Sequence, residues 1–237
     1  MEVHQHLQHA NKKWHQYFWE FFMMFAAVSA SFFVENQREH YIERQKERQY
    51  MVSMLADLKY DTSSLKKYIG KNNGQSLGLD TLFMLIRNYR NDQAKELYRL
   101  FDTAASWVYR ARLADRTISQ LKSSGNMRLI HVQEVSDSIL IYEEKKKLLL
   151  DQGESYRRES EILTDLSRKI LDYQYLLPLT LAAVPSVQNL NKEGLFEFSN
   201  EVKVFRDQID TYVDNMEELL VRAENLIALI GKKYHLK

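Results

Sequence analysis

The sequence predicts an all-α protein, with an N-terminal transmembrane helix continuing into a stalk and an antiparallel helical bundle. Three observations predict it. The 237 residues include only 7 Gly and 2 Pro, too few turn-formers for an all-β chain. Glu, Lys, Leu, Arg and Gln are abundant, a composition that favours long helices. Apolar residues recur at three- and four-residue steps over several long stretches, the signature of one helix face.

Residues 1–13 read as a polar tail. "HQHLQHANKKWH" supplies His4, His6, His9 and His15, with Glu2 the one acidic residue nearby. Histidines two and three apart attract metals weakly, but a specific site needs a fuller ligand set. No metal site is expected here.

Residues 14–34 read as the membrane span. From Phe21 to Val34 no side chain is charged. A bilayer core takes ~20 apolar residues, so length alone is borderline and the flanks decide. Trp14, Tyr17 and Trp19 cluster at one end, as interfacial rings do, and Lys12 and Lys13 can snorkel beside them. Glu20 lies about a turn inside that cluster, near the interface rather than the costly midplane. There it can reach Lys12 or Lys13, take up a proton, or pair with a neighbouring chain. The small residues Ala26, Ala27, Ser29, Ala30 and Ser31 mimic a signal-peptide cleavage site. The apolar run continues past it through Phe32, Phe33 and Val34, so an uncleaved anchor fits better. Basic residues flank both ends, Lys12 and Lys13 before and Arg38, Arg44, Lys46 and Arg48 after, so charge does not orient the span.

Residues 35–69 read as the stalk and first bundle helix. "ENQREHYIERQKERQ" is a solvated helical surface. Met51, Leu55, Leu58, Leu65 and Ile69 then form a stripe, with Thr62 at its one polar position. "GKNNG" (Gly70–Gly74) is expected to stop this helix, begun near Asn11.

Residues 75–237 read as the helical bundle domain. Asp80 is expected to cap a helix carrying Leu82, Phe83, Leu85, Ile86 and Tyr89. "NYRND" marks a break, and one or two short helices follow, closing at Gly125. A long helix is expected from about Ile130 to Leu176, with Gly153 loosening its middle. "LTLAAV", between Pro178 and Pro185, is a packed connector. In the last helix Val202, Phe205, Ile209, Tyr212, Met216, Leu219, Ala223, Leu226 and Ile230 alternate three and four steps without a miss. Packing within the chain is the default for that seam, and sharing between subunits the alternative.

Several function classes find no support. The 33 basic and 32 acidic residues nearly cancel, and runs such as "YEEKKK" neutralise themselves, so no nucleic-acid surface is expected. Cysteine is absent, which excludes disulfides, thiolate nucleophiles and Cys-based zinc sites. There is no HExxH, phosphate-binding glycine loop, GxSxG elbow or dinucleotide fingerprint. Glu217 and Glu218 read as exposed helix positions. "DYQYLL" and "WVYRAR" read as packing with snorkelling arginines rather than a ligand cage. No catalytic residue, cofactor or small-molecule substrate is expected.

Three stretches carry a resemblance: "KKWHQYFWEFFMMFAAVSASFFVEN", "REHYIERQKERQYMVSMLADLKYDTSSL" and "RTISQLKSSGNMRLI". Together they resemble a family of uncharacterised single-span membrane proteins common in Bacteroidota, defined as a domain of unknown function. The span here departs from that family's in being richer in aromatics and Met, and poorer in Gly and Ile/Leu/Val. The resemblance implies an inner-membrane anchor and a helical domain facing the periplasm, with no known reaction and so no functional residues to carry over. The reading that follows is a non-enzymatic scaffold or accessory subunit of a cell-envelope complex, with the bilayer and a protein partner or second copy as its contacts. A ligand-sensing bundle that signals through a partner is the alternative, and a polar, ligand-sized pocket between helices would favour it.

Overall fold

The computed structural model describes residues 14–176 and 192–236. Among them the protein is all-α: α1 (Trp14–Arg87), α2 (Ala94–Leu100), α3 (Arg116–Ser123), α4 (Gln133–Ile170) and α5 (Lys192–Tyr234). The chain divides into two compact units, residues 1–49 and 50–237. In the first, the side chains of the expected span are solvent-facing, Phe21, Met23, Phe32 and Phe33 each about two-thirds exposed. Arg38 pairs with Glu35 at 3.0 Å on the polar stretch that follows.

The second unit is a bundle of three long helical segments. Tyr142 on α4 meets Asp61 of α1, and further along both helices Tyr156 meets Gln75, so α1 and α4 run parallel. α5 opposes both. It meets α1 through Lys66–Glu224 (2.7 Å), Ser76–Asp210 (2.8 Å) and Asp80–Arg206 (2.9 Å). It meets α4 through Gln152–Asn215 (2.8 Å) and Glu134–Lys233 (2.7 Å). All nine residues of the α5 seam are buried, covered by the chain's own helices as the default reading had it. Met51, Leu55, Leu58 and Leu65 of α1 are buried against them, with Leu79, Leu82 and Ile86 extending the stripe.

Four expectations need correction. α1 does not stop at Gly70–Gly74 but continues to Arg87, and Asp80 is an interior residue paired with Arg206 rather than a cap. The local preference of Gly and Asn for left-handed backbone is overridden by tertiary bonds, since Asn72 and Gln75 are buried hydrogen-bonding residues. α4 ends at Ile170, after which Tyr173–Leu176 forms a separate 3-10 turn. Gly153 does not loosen α4; it is buried against the Tyr212 hydroxyl. Other readings hold. The break after Arg87 falls on "NYRND", and Gly125 follows α3 with φ 67°, a left-handed conformation suited to glycine. The "LTLAAV" connector lies outside the described residues.

Gly78 has a packing reason. A Cβ there would lie 2.7 Å from the Ala104 side chain, so the missing methyl lets the turn after α2 lie against α1. Gly70 and Gly74 have nothing within 4 Å of such a Cβ. Gly70→Ala and Gly74→Ala should each stabilise the protein by roughly 0.5–1 kcal/mol, the helix-propensity gain. Gly78→Val should cost about 1–3 kcal/mol through overpacking. Denaturant midpoints of the detergent-solubilised chain separate the two signs.

Candidate functional site

Between Ser106 and Arg116 the chain is not helical. The interval from Gln75 back to Asp57 on α1 measures about 27 Å at 1.5 Å per helical residue. The chain covers it between Trp107 and Thr117, at about 2.7 Å per residue, close to the rise of a strand. A near-extended segment therefore threads the bundle antiparallel to α1. A buried backbone without ladder partners needs other ones, and side chains supply them.

Gln75 Nε2 donates to the carbonyls of Ala104 (2.8 Å) and Trp107 (2.7 Å). Asn72 Nδ2 donates to Tyr109 O at 2.8 Å, and the Ser64 hydroxyl to Arg112 O at 2.6 Å. The Tyr109 and Ala111 N–H groups donate to the hydroxyls of Tyr156 (3.3 Å) and Tyr212 (3.1 Å). Tyr156 in turn donates to Gln75 Oε1 at 2.9 Å, which fixes the amide's orientation. Burial raises the phenol pKa of both tyrosines above its ordinary range, so both hydroxyls stay neutral.

The far end of the segment is held by charge. Asp61, 1% exposed, accepts from the Ala114 N–H at 2.6 Å and the Tyr142 hydroxyl at 2.7 Å. Burial raises its pKa, against the pull of those two bonds and of Lys146. The buried Lys146 ammonium reaches Ala114 O (2.8 Å), Glu143 (3.0 Å) and Asp115 (3.6 Å). Asp57 accepts from the Thr117 N–H at 3.0 Å, holding the first turn of α3 where free N–H groups favour an anion.

Beside this segment lies a groove of about 530 Å³, lined by Tyr68, Lys71, Trp107–Arg112, Leu150, Gly153, Glu154 and Tyr212. The Lys71 ammonium sits 4.8 Å over the Tyr109 ring and 6.0 Å from Tyr68. Arg110 pairs with Glu154, which Arg157 also holds at 3.1 Å; the bonds from Arg157 and Arg110 keep that carboxyl below its usual range. "WVYRAR" is thus only partly packing. Ala111 is buried, whereas Trp107 is 56% exposed and Arg112 is exposed.

A second titratable cluster joins α4 and α5. The Glu201 carboxyl, one oxygen of which is buried without a partner, has its pKa pushed up to about 7 by burial, a hydrogen bond with Glu159 and the charge of Glu197.

The other residues weighed from sequence fall as follows. Glu217 and Glu218 are exposed, Glu218 paired with Arg222 at 2.8 Å and Lys145 at 3.2 Å. In "DYQYLL" Tyr173 and Tyr175 pack against Phe101 and Tyr98. His15 and Glu20 are exposed on α1; His4, His6, His9, Lys12 and Lys13 lie outside the described residues. Among the described residues no three metal-ligating side chains converge. Sequence reasoning missed Asp57, Asp61, Ser64, Asn72 and Gln75. Their steps of four, three, eight and three residues, which keep to one helix face, were the available signal, but this is a polar stripe and so reads as solvent-facing.

Gln75→Leu leaves two carbonyls and the Tyr156 hydroxyl without their partner, and should cost about 2–4 kcal/mol in urea unfolding; exposed Thr81→Ala should cost little. Folded Glu201 holds its proton up to about 7, whereas the unfolded carboxyl releases it near 4.5. The folded state therefore binds more protons in between, and this group's contribution to stability is lost as pH rises through that window. Glu201→Gln should flatten the decline in urea midpoint between those pH values relative to the unaltered chain.

No protein family, curated protein or solved structure matches the chain.

Proposed function

We propose that the chain is a membrane-anchored, non-enzymatic protein whose helical domain works by binding. One observation carries the anchorage. Of the described helices one is long and apolar enough to cross a membrane, and none of its apolar window is buried within the protein. A core helix of a soluble protein would bury such a window. The resemblance to a single-span family supports placing the span in an inner membrane, with the bundle in the periplasm.

Two binding modes follow. As a scaffold or accessory subunit of an envelope complex, the protein would use helix-to-helix contacts. The α5 seam is occupied internally, so the surface for this is the outer face of α4 and α5, where Ile141, Leu148, Ile162 and Val221 are each roughly half exposed. As a ligand-sensing bundle it would use the groove beside Trp107, and that groove is the specific observation favouring this second reading. Signalling would then pass to a protein partner.

The full-length chain should pellet with membranes and resist alkaline extraction, while a variant lacking residues 1–34 should remain in the supernatant. Val28→Arg, costing about 2.5–3.5 kcal/mol at a span's centre, should reduce membrane retention. An unaltered chain that stays soluble without detergent would overturn the anchor.

A further inference from the structure

We infer that the groove beside the threaded segment binds a small planar organic anion, an aromatic or conjugated ring system bearing a carboxylate or phosphate. The inference deepens the ligand-sensing reading and rests on it. Charge sets the sign of the ligand. Arg110 is neutralised by Glu154, but Lys71 and Arg112 have no carboxylate partner among the described residues. The one acidic lining residue, Glu154, is shared between Arg110 and Arg157. A cation would thus meet two uncompensated positive charges, and an anion would satisfy them. Arg112 offers a planar fork suited to carboxylate or phosphate. Lys71, poised over the Tyr109 ring, adds a mobile point charge.

Shape sets the rest. Trp107, 56% exposed, lines the same groove as Tyr109 and Tyr68, and exposed aromatic surface favours a flat partner. The volume, about 530 Å³, falls within the ~300–1,000 Å³ of small-molecule sites. Val108 and Arg110 line the groove beside these side chains. The lining is preorganised, because Gln75, Asn72, Tyr156, Tyr212 and Ser64 fix the backbone that carries it. Preorganisation lowers the ordering cost of binding.

The test uses the full chain in nanodiscs of neutral phosphatidylcholine, with Trp14→Phe and Trp19→Phe leaving Trp107 as the one indole reporter. The probes are flavin mononucleotide against riboflavin, and naphthoate against naphthamide. Saturable quenching by both acids is expected, with Kd about tenfold below the neutral counterparts and weakening with salt. Lys71→Ala/Arg112→Ala, at two exposed positions, should raise Kd about tenfold; the distant Lys203→Ala should not. Neutral probes binding as tightly as the acids would overturn the charge assignment while leaving the groove a ligand site. No saturable quenching by any probe up to about 1 mM, a binding energy of only about 4 kcal/mol, would overturn the inference and the sensing reading together, leaving the scaffold. An acidic peptide that quenches Trp107 where the acids fail would replace the small molecule with an extended peptide.

Discussion

A segment that leaves helical geometry inside a helical bundle must find partners for its buried N–H and C=O groups. Here the partners are side chains from all three long helices. Gln75, Asn72 and Ser64 hold carbonyls from α1, Tyr156 and Tyr212 receive N–H groups on α4 and α5, and Asp61 and Lys146 close the far end. The arrangement does for one strand what a sheet would do, without a second strand. It also fixes helix direction, because a chain returning along α1 in extended form allows α4 to start at the same end as α1 and run parallel to it.

The same bonds explain what was legible in the sequence. The α5 seam reads residue by residue because apolar burial is periodic and local to one helix. The break after Arg87 and the left-handed Gly125 read equally well, as local backbone chemistry. Asn72 and Gln75 did not. The carbonyls they hold in and before the threaded segment lie 29 to 37 residues away, and hydropathy assigns a polar residue to solvent unless something marks its partner. The glycines around them deepened the error. Each costs about 1 kcal/mol of helix propensity, which looks decisive locally but is comparable to a single buried hydrogen bond. The groove was invisible for a related reason. "WVYRAR" has the composition of a helix face, and only its extended conformation spreads Trp107, Tyr109, Arg110 and Arg112 along one wall.

Charge within the bundle is distributed unequally. At one end Asp61 and Lys146 are buried but saturated with hydrogen bonds, which makes them tolerable and sensitive to the loss of either partner. Between α4 and α5, burial raises the pKa of Glu201, together with the like charges of Glu159 and Glu197 that it faces. In the groove the imbalance is reversed, with bases lacking acids. The bundle is therefore electrically neutral only as a sum, and its local surpluses lie at helix interfaces and along the threaded segment.

The returning strap is held by side chains of all three long helices. The hydroxyl that receives Ala111 belongs to α5, the last of the five helices to be translated. A nascent chain that has released only α1 to α4 holds a strap with an open donor and an α4 flank without its cover. Closure then waits on contacts such as Ser76 with Asp210, 134 residues apart in sequence, so the loop-closure entropy is larger than in a bundle whose neighbouring helices are consecutive.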